Sequence, residues 1–467
     1  MSSPPAGGDN NEGKRGMYMR KRLLSLLLTL AMLACLTPAL AADEISGVYE
    51  GYYFAQQGQT GVTLTVTGDT AKFEFYNLPG RSNAASGSFW MSVRQENGIY
   101  YFDAGEWIEK PSTYETVDLE LTLSGNVLSG DVKALGRTYT FYAERPNEAY
   151  EQIQESIFDG HRYSVVSQGM TWQEASDYCA QQGGYLATVT SQEELAFLQG
   201  LTAGRGACWL GGQGDGYDWT WANGEPWTFG APPTQAGYLK LESDGSWTAG
   251  GAGERLNAFV CEWGTWSGAS SWSSPELEKA YEAGLIPDVL IGADMTGRIT
   301  RGEFAAVAVK LYEALSGGRA IIAADCPFTD ISQDANRLYI LKAYNLDLVN
   351  GVGGNKYDPS ASLTREQMAT MLCRAYKLYQ WPDWNLDNDG NYPLDISGVS
   401  IFADDGDISD FARQSVYFMV KSNIIQGVGN NCFAPKNTTS QQEAAGYANA
   451  TREQALALSL RSLETLK

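Results

Sequence analysis

Histidine is all but absent from this chain: His161 is the single one in 467 residues. A multi-histidine metal centre is therefore excluded, and any Ser-His-Asp or Cys-His relay would have to run through that residue. It stands in Gly160-His-Arg-Tyr163, at the expected start of a strand, and reads as an ordinary strand-edge histidine. Cysteine is sparse as well. The seven cysteines include no C-x-x-C pair, so zinc is not expected. Cys35 falls in a leader, and the other six (Cys179, Cys208, Cys261, Cys326, Cys373, Cys432) permit pairing without fixing it. Positive charge is short: 33 Lys and Arg stand against 55 Asp and Glu, a formal net charge of −22. Such a balance argues against nucleic acid and anionic membranes as partners. It also means that a site for an anionic ligand needs a local cluster of arginine.

Residues 1–41 read as a targeting segment. Lys14, Arg15, Arg20, Lys21 and Arg22 supply the basic part, Leu23 to Leu36 the apolar part, and Ala39-Leu-Ala41 the small-x-small cleavage signal. Leu33-Ala34-Cys35 offers a lipoprotein-type alternative. No other stretch is long and apolar enough to span a bilayer, so no transmembrane segment is expected in the mature chain. The length leaves room for about three domains of roughly 150 residues.

From 42 to 147 the pattern is all-β. Residues 63–67, 72–76 and 117–123 alternate, and Thr67-Gly-Asp69, Asn97-Gly98, Ser124-Gly-Asn126 and Leu128-Ser-Gly130 are turn signals. The expectation is a small sandwich or barrel with an aromatic core. Asp103, Glu106 and Glu109 are the candidate carboxylates if this domain were a hydrolase.

Residues 148–264 open two helices with the same device. Thr171-Trp-Gln-Glu174 and Ser191-Gln-Glu-Glu194 each place a hydroxyl cap three residues ahead of a Glu, the pattern of a capping box. The first helix leads through Ala175 and Tyr178 to Cys179 and is expected to end at Gly183-Gly184. Trp209-Leu-Gly-Gly212, Trp219-Thr-Trp221, Glu225-Pro-Trp227 and Phe259-Val-Cys-Glu262 follow. This stretch resembles the C-type lectin-like domain, an α+β fold. The resemblance implies a Cys179–Cys261 disulfide. In calcium-dependent members, Glu-Pro-Asn-like and Trp-Asn-Asp triplets supply the metal ligands. Here the corresponding positions hold Gly230-Ala-Pro-Pro233 and Trp247-Thr-Ala249. Calcium needs about six to eight oxygens, and Ala and Pro side chains offer none, so no metal and no cofactor are expected. The ligand, an unknown glycan or protein, would be met by Trp219, Trp221 and Trp227, although those residues read equally well as core.

Residues 265–273 form a Gly/Ser/Trp linker. Beyond it the chain repeats itself. Phe328-Thr-Asp330, Gly351-Val-Gly353, Tyr357-Asp-Pro359 and Thr364-Arg-Glu-Gln367 return as Phe402-Ala-Asp404, Gly427-Val-Gly429, Phe433-Ala-Pro435 and Thr451-Arg-Glu-Gln454. Gly351 precedes Pro359 by eight residues, as Gly427 precedes Pro435. A degenerate earlier copy contains Ser274-Pro275, read as a helix start, and Thr300-Arg-Gly-Glu303. Stacked copies bury what one copy cannot. Each Thr-Arg falls at a helix entrance, where Thr caps while Arg and free backbone N–H groups would face an anion. Asn385, Asp387, Asp389 and Gly390 mimic a calcium loop, but Ile396 stands where an acid is required, so an acidic turn is expected.

These copies (274–316, 326–380, 400–467) resemble three S-layer homology repeats. The resemblance implies an all-α three-repeat bundle whose grooves bind an anionic, often pyruvylated, secondary cell-wall polysaccharide. On it the binding residues would be Thr300, Arg301, Glu303, Thr364, Arg365, Thr451 and Arg452. The expectation is a multidomain, non-enzymatic, secreted protein on the cell wall of a Gram-positive-type bacterium. The repeats hold the wall and the lectin-like domain presents a ligand-binding surface in adhesion. The alternatives are a structural protein of a surface array or a wall-anchored hydrolase.

Overall fold

The structure, a computed structural model, describes residues 44–55, 58–77, 85–112 and 114–467. The leader at 1–41 lies outside them. The chain divides into two compact units, a β-barrel and everything from Pro146 to Lys467.

The barrel has eight antiparallel strands in simple succession: β1 (Gly47–Ala55), β2 (Gly58–Thr67), β3 (Thr70–Tyr76), β4 (Gly87–Glu96), β5 (Ile99–Glu109), β6 (Asp118–Ser124), β7 (Val127–Ala134) and β8 (Arg137–Glu144). Strand β8 closes on β1, with Gly51 opposite Ala143. Gly51 is needed there, because a Cβ would lie 2.1 Å from the Tyr142 carbonyl. Alternation puts Leu64, Phe73, Phe89, Phe102, Leu121 and Phe141 inside, all essentially unexposed. Leu128-Ser-Gly130, expected as a turn, instead lies within β7. The turn is made at Leu135-Gly136, both left-handed. Asp103 pairs with Arg94 on the neighbouring strand, and Glu106 and Glu109 are exposed on β5.

The second unit begins with α1 (Glu148–Glu155), β9 (Ile157–Phe158), β10 (His161–Val166) and α2 (Trp172–Gln181). Then come β11 (Tyr185–Leu186), α3 (Gln192–Leu201), β12 (Cys208–Gly214) and β13 (Trp219–Trp221). Strands β14 (Gly237–Leu241), β15 (Trp247–Gly250) and β16 (Ala258–Trp263) complete this part. The sheet order is β15-β14-β12-β16-β10-β9. Thr171 forms a full capping box with Glu174. Ser191 accepts from the Glu194 N–H, but the Glu194 carboxylate turns to Thr190 and Tyr163 instead of closing the box. Cys179 and Cys261 form a disulfide across 82 residues, with Cα atoms 5.6 Å apart. Cys208, Cys326, Cys373 and Cys432 are unpaired, and burial pushes the Cys208 thiol up to about 11.

The helical part holds α4 (Ser274–Glu282), α5 (Arg301–Ser316), α6 (Arg337–Asn345), α7 (Arg365–Gln380), α8 (Asp410–Lys421), α9 (Ser440–Ala445) and α10 (Arg452–Leu466). The cap of α4 is Ser273, not Ser274, and its hydroxyl donates to Glu453 rather than capping. Residues 265–273, expected as a linker, are docked on the bundle. Thr265 and Ser267 carbonyls accept from Gly292 and Met295, and Ser270 donates to Glu453 through its N–H and its hydroxyl. Among the described residues no helix is long and apolar enough to cross a membrane.

Candidate functional site

Each repeat motif has a local task and a reach into the next copy. Asp330 accepts from the N–H groups of Tyr357 and Asp358 at 2.9 Å, which holds the Tyr-Asp-Pro turn. Asp404 does the same for Phe433 and Ala434. The glycine loops pack under the Phe of the same copy. A Cβ on Gly351 would lie 2.6 Å from the Lys356 carbonyl and 2.7 Å from the Phe328 ring. On Gly427 it would meet Cys432 and Phe402 in the same way.

The threonines Thr300, Thr364 and Thr451 cap α5, α7 and α10, each accepting from the N–H three residues on. The arginines reach forward. Arg301 donates to the carbonyls of Tyr357 and Asn350, both at 3.0 Å, and lies over the Tyr357 ring. Arg365 donates to Phe433 and Gln426, at 3.0 and 2.6 Å, and lies over the Phe433 ring. Both are buried, 9% and 8% exposed, and burial depresses the Arg365 guanidinium below its ordinary value. Arg452 instead grips the Glu303 carboxylate through Nε and Nη2, the latter at 2.8 Å.

The backbone N–H groups at these helix entrances are not free, which corrects the expectation that they face an anion. Arg301 and Gly302 donate to Ala361 and Pro359, Arg365 and Glu366 to Ala448 and Pro435, and Arg452 and Glu453 to Gly297 and Met295. The third tetrad residue works inside the bundle too. The Glu366 carboxylate takes the N–H and hydroxyl of Ser409, as Glu453 takes those of Ser270.

An opening lies beside the first tetrad arginine. A groove of about 440 Å³ is lined by Arg301, the 349–352 loop, Gln367, Thr370, Met371, Arg374 and Phe411. Its lips are apolar and open, with Val352 56% and Phe411 58% exposed. Its polar edge holds two guanidinium groups. Arg374 donates to the Leu348 carbonyl at 3.1 Å, and burial lowers its ordinary value. No carboxylate of the described residues reaches either arginine within ion-pair distance. The arrangement suits a carboxylate carried on an apolar body. Sequence reading missed Arg374 and Phe411. The first stands nine residues after a tetrad arginine, a spacing repeated in Arg461, and that is the signal it left.

In the lectin-like part, Trp219 and Trp221 are core residues and Trp227 is half-buried against them. Trp221 and Trp227 stack at 4.3 Å, and Trp219 and Trp227 donate to the carbonyls of Pro233 and Gly230. The long-loop residues Gly230 to Pro233 present no side-chain oxygen for calcium. A second cavity, about 280 Å³, has Asp159, His161, Glu194, Glu225 and Glu262 in its lining. Buried Glu262 accepts from Tyr185, from Thr188 N and Oγ1, and lies 2.6 Å from His161 Nδ1. That hydrogen bond raises His161 above its ordinary value. Among the described residues no cluster of His, Cys, Asp and Glu is disposed to hold a metal. In the calcium-loop mimic, Asp389 accepts from Lys377 and Trp384.

A family model described as "Lectin C-type domain" matches residues 168–263, and one described as "S-layer homology domain" matches 327–369 and 401–445. The latter matches lie in the second and third copies. An amylopullulanase of Thermoanaerobacterium thermosulfurigenes is 35% identical over 153 residues, which are 32% of this chain and 7% of that protein. The exoglucanase XynX of Acetivibrio thermocellus is 33% identical over 152 residues, 32% of this chain and 12% of its own length. The C-type lectin domain family 4 member F of Mus musculus is 42% identical over 71 residues, 15% of this chain and 13% of the relative. The chain thus spans a small fraction of each. A solved calcium-independent type II antifreeze protein is 23% identical, over 23% of this chain and 89% of that one, with a TM-score of 0.22.

Proposed function

We propose that this chain, which carries a C-type lectin domain and S-layer homology domains, is a non-catalytic protein of the cell surface. An anionic secondary wall polysaccharide holds it there without a covalent bond. The groove beside Arg301 is the holding site, and the lectin-like module offers a binding surface for a glycan or protein. The observation that carries this reading is the pairing of Arg301 and Arg374 in one open groove, free of carboxylate partners. In a chain of net charge −22, two arginines in one groove without a carboxylate in ion-pair contact are a local exception that suits an anionic ligand, although Asp347 and Asp389 act on Arg374 from farther off. Thr300, Thr364 and Thr451 serve by capping the helices that carry the arginines. Arg365, Arg452 and Glu303 serve by locking one copy to the next.

The domains found are non-catalytic, and the activities in the relatives' names are not carried over to this chain. The test is retention on purified cell-wall sacculi before and after mild acid has removed the secondary polymer. Retention that disappears with the polymer is the expected result. Retention that survives its removal, or no retention at all, sinks the proposal.

A further inference from the structure

The single histidine of the chain stands on a strand whose two faces meet different partners. Alternation at the start of β10 turns Gly160 and Arg162 one way, His161 and Tyr163 the other. The first pair meets the helical bundle and the segment docked on it. Gly160 is left-handed, with φ 78°, and its carbonyl accepts from Thr265 Oγ1 at 2.8 Å. A Cβ there would lie 3.2 Å from the hydroxyl of Tyr281 on α4. Arg162 donates from Nη2 to the Val289 carbonyl, and a Cβ on Gly292 would lie 2.4 Å from the Arg162 Cβ. Beside them the Tyr150 hydroxyl donates to Asp288 at 3.0 Å. The N–H groups of Gly292 and Met295 donate to the carbonyls of Thr265 and Ser267. Together these contacts dock the lectin-like module on the bundle.

The second pair faces the 280 Å³ cavity. His161 Nδ1 lies 2.6 Å from Glu262, and the Tyr163 hydroxyl donates to Glu194 at 2.6 Å. Charged groups approach His161 from every element around it. Asp159 comes from the β9–β10 turn, Glu194 from α3, Glu225 from the loop after β13 and Glu262 from β16. The phenols of Tyr163 and Tyr185 stay protonated, because burial and then the neighbouring carboxylates push both up. Arg162 lies on the other face, where Arg452 and Glu303 act on it. Among the described residues of the lining, His161 is the only basic side chain.

A charged imidazole thus offsets four carboxylates at once. A neutral imidazole still donates one N–H to Glu262 but cancels no charge. Repulsion in the cavity then bears on the turn that carries Asp159, Gly160 and the Thr265 contact. We infer that the docking of the lectin-like module on the bundle is pH-sensitive through His161: tight while the imidazole is charged, looser once it is neutral. The hydrogen bond to Glu262 raises the imidazole above its ordinary value. The tight state is therefore fully present below about pH 6.5 and is lost as pH rises through the higher folded value. This inference goes beyond the anchoring reading and does not depend on it.

The test is amide hydrogen exchange of the full chain between about pH 5.5 and 8.5, corrected for intrinsic rates, with the lone imidazole followed by NMR. In the wild type the N–H groups of Gly292 and Met295 are expected to lose protection about tenfold as the imidazole deprotonates, while those of α7 hold theirs. In His161→Asn the protection is expected to start at the lower level and stay there. Amides of Gly292 and Met295 that keep their protection while the imidazole titrates overturn the inference. So does a loss that persists in His161→Asn, or one that α7 shares. If the variant does not fold, the wild-type midpoint decides: a loss centred more than about one pH unit from the imidazole titration overturns the inference, and a coincident midpoint upholds it.

Discussion

The lectin-like module and the helical bundle use their signature residues in opposite directions. In the module they turn inward: Trp219 and Trp221 are core, and Glu262 is buried with its carboxylate fully engaged. In the bundle they turn sideways, each tetrad arginine reaching into the following copy and the last one back into the first. A motif tryptophan in the module is thus part of a single packed core. A motif arginine in the bundle is a joint between copies, and a joint can leave an opening beside it. That contrast explains why the open groove lies between copies and not over the tryptophans.

The largest effect expected is in the module. Trp221 is 2% exposed, and Trp221→Ala should cost about 3–5 kcal/mol of stability, read by chemical denaturation. A loss near zero would return Trp221 to the role of a ligand platform. The Cys179–Cys261 bridge closes 82 residues, so Cys179→Ser with Cys261→Ser should cost on the order of 4 kcal/mol in the chain-entropy view. That loss should appear as an earlier thermal transition of the second unit.

In the bundle the corresponding change is smaller and sharper. Arg365→Ala leaves the buried Phe433 carbonyl unpaired and removes a part-buried bond to Gln426, at a cost of about 1–3 kcal/mol. Arg365→Lys should recover only part of it, because an ammonium cannot reproduce the planar fork. Full recovery with Lys would show that charge alone, not the two-carbonyl geometry, matters there.

A pH titration separates the two regions further. His161 is raised by its hydrogen bond to Glu262, so the stability it contributes is fully present below the unfolded value of about 6.5. That contribution fades as pH rises through the higher folded value. The melting temperature of the module should therefore fall across this window, and His161→Asn should flatten the trend. A trend that survives the substitution would place the titrating group elsewhere. The smallest effect belongs to Tyr217, 91% exposed, where Ala should change stability by less than about 0.5 kcal/mol.

Much of the barrel was legible in its alternation, since Leu64 and Phe73 sit opposite each other on strands that the pattern alone marks. Closure was not, because the pairing of β1 with β8 joins distant segments and leaves no local signature. The Leu135-Gly136 turn was missed because leucine gives no turn signal. The tetrads were legible through their repeated spacing, which is hard to reach by chance. What lines the groove beside Arg301 was not. Arg374 and Phe411 are ordinary helix residues until the three copies stack and the Val349–Val352 loop rises beside them. The docking of 265–273 was hidden for a different reason: a Gly/Ser-rich composition looks the same whether its backbone groups meet water or Glu453.

The most direct test of the account is a crystal structure of the chain grown with a pyruvylated fragment of the wall polymer. The account predicts ordered saccharide in the groove between Val352 and Phe411, with its carboxylate at Arg374. Saccharide bound at Arg452, or over Trp219 and Trp227, with the first groove empty, would contradict it.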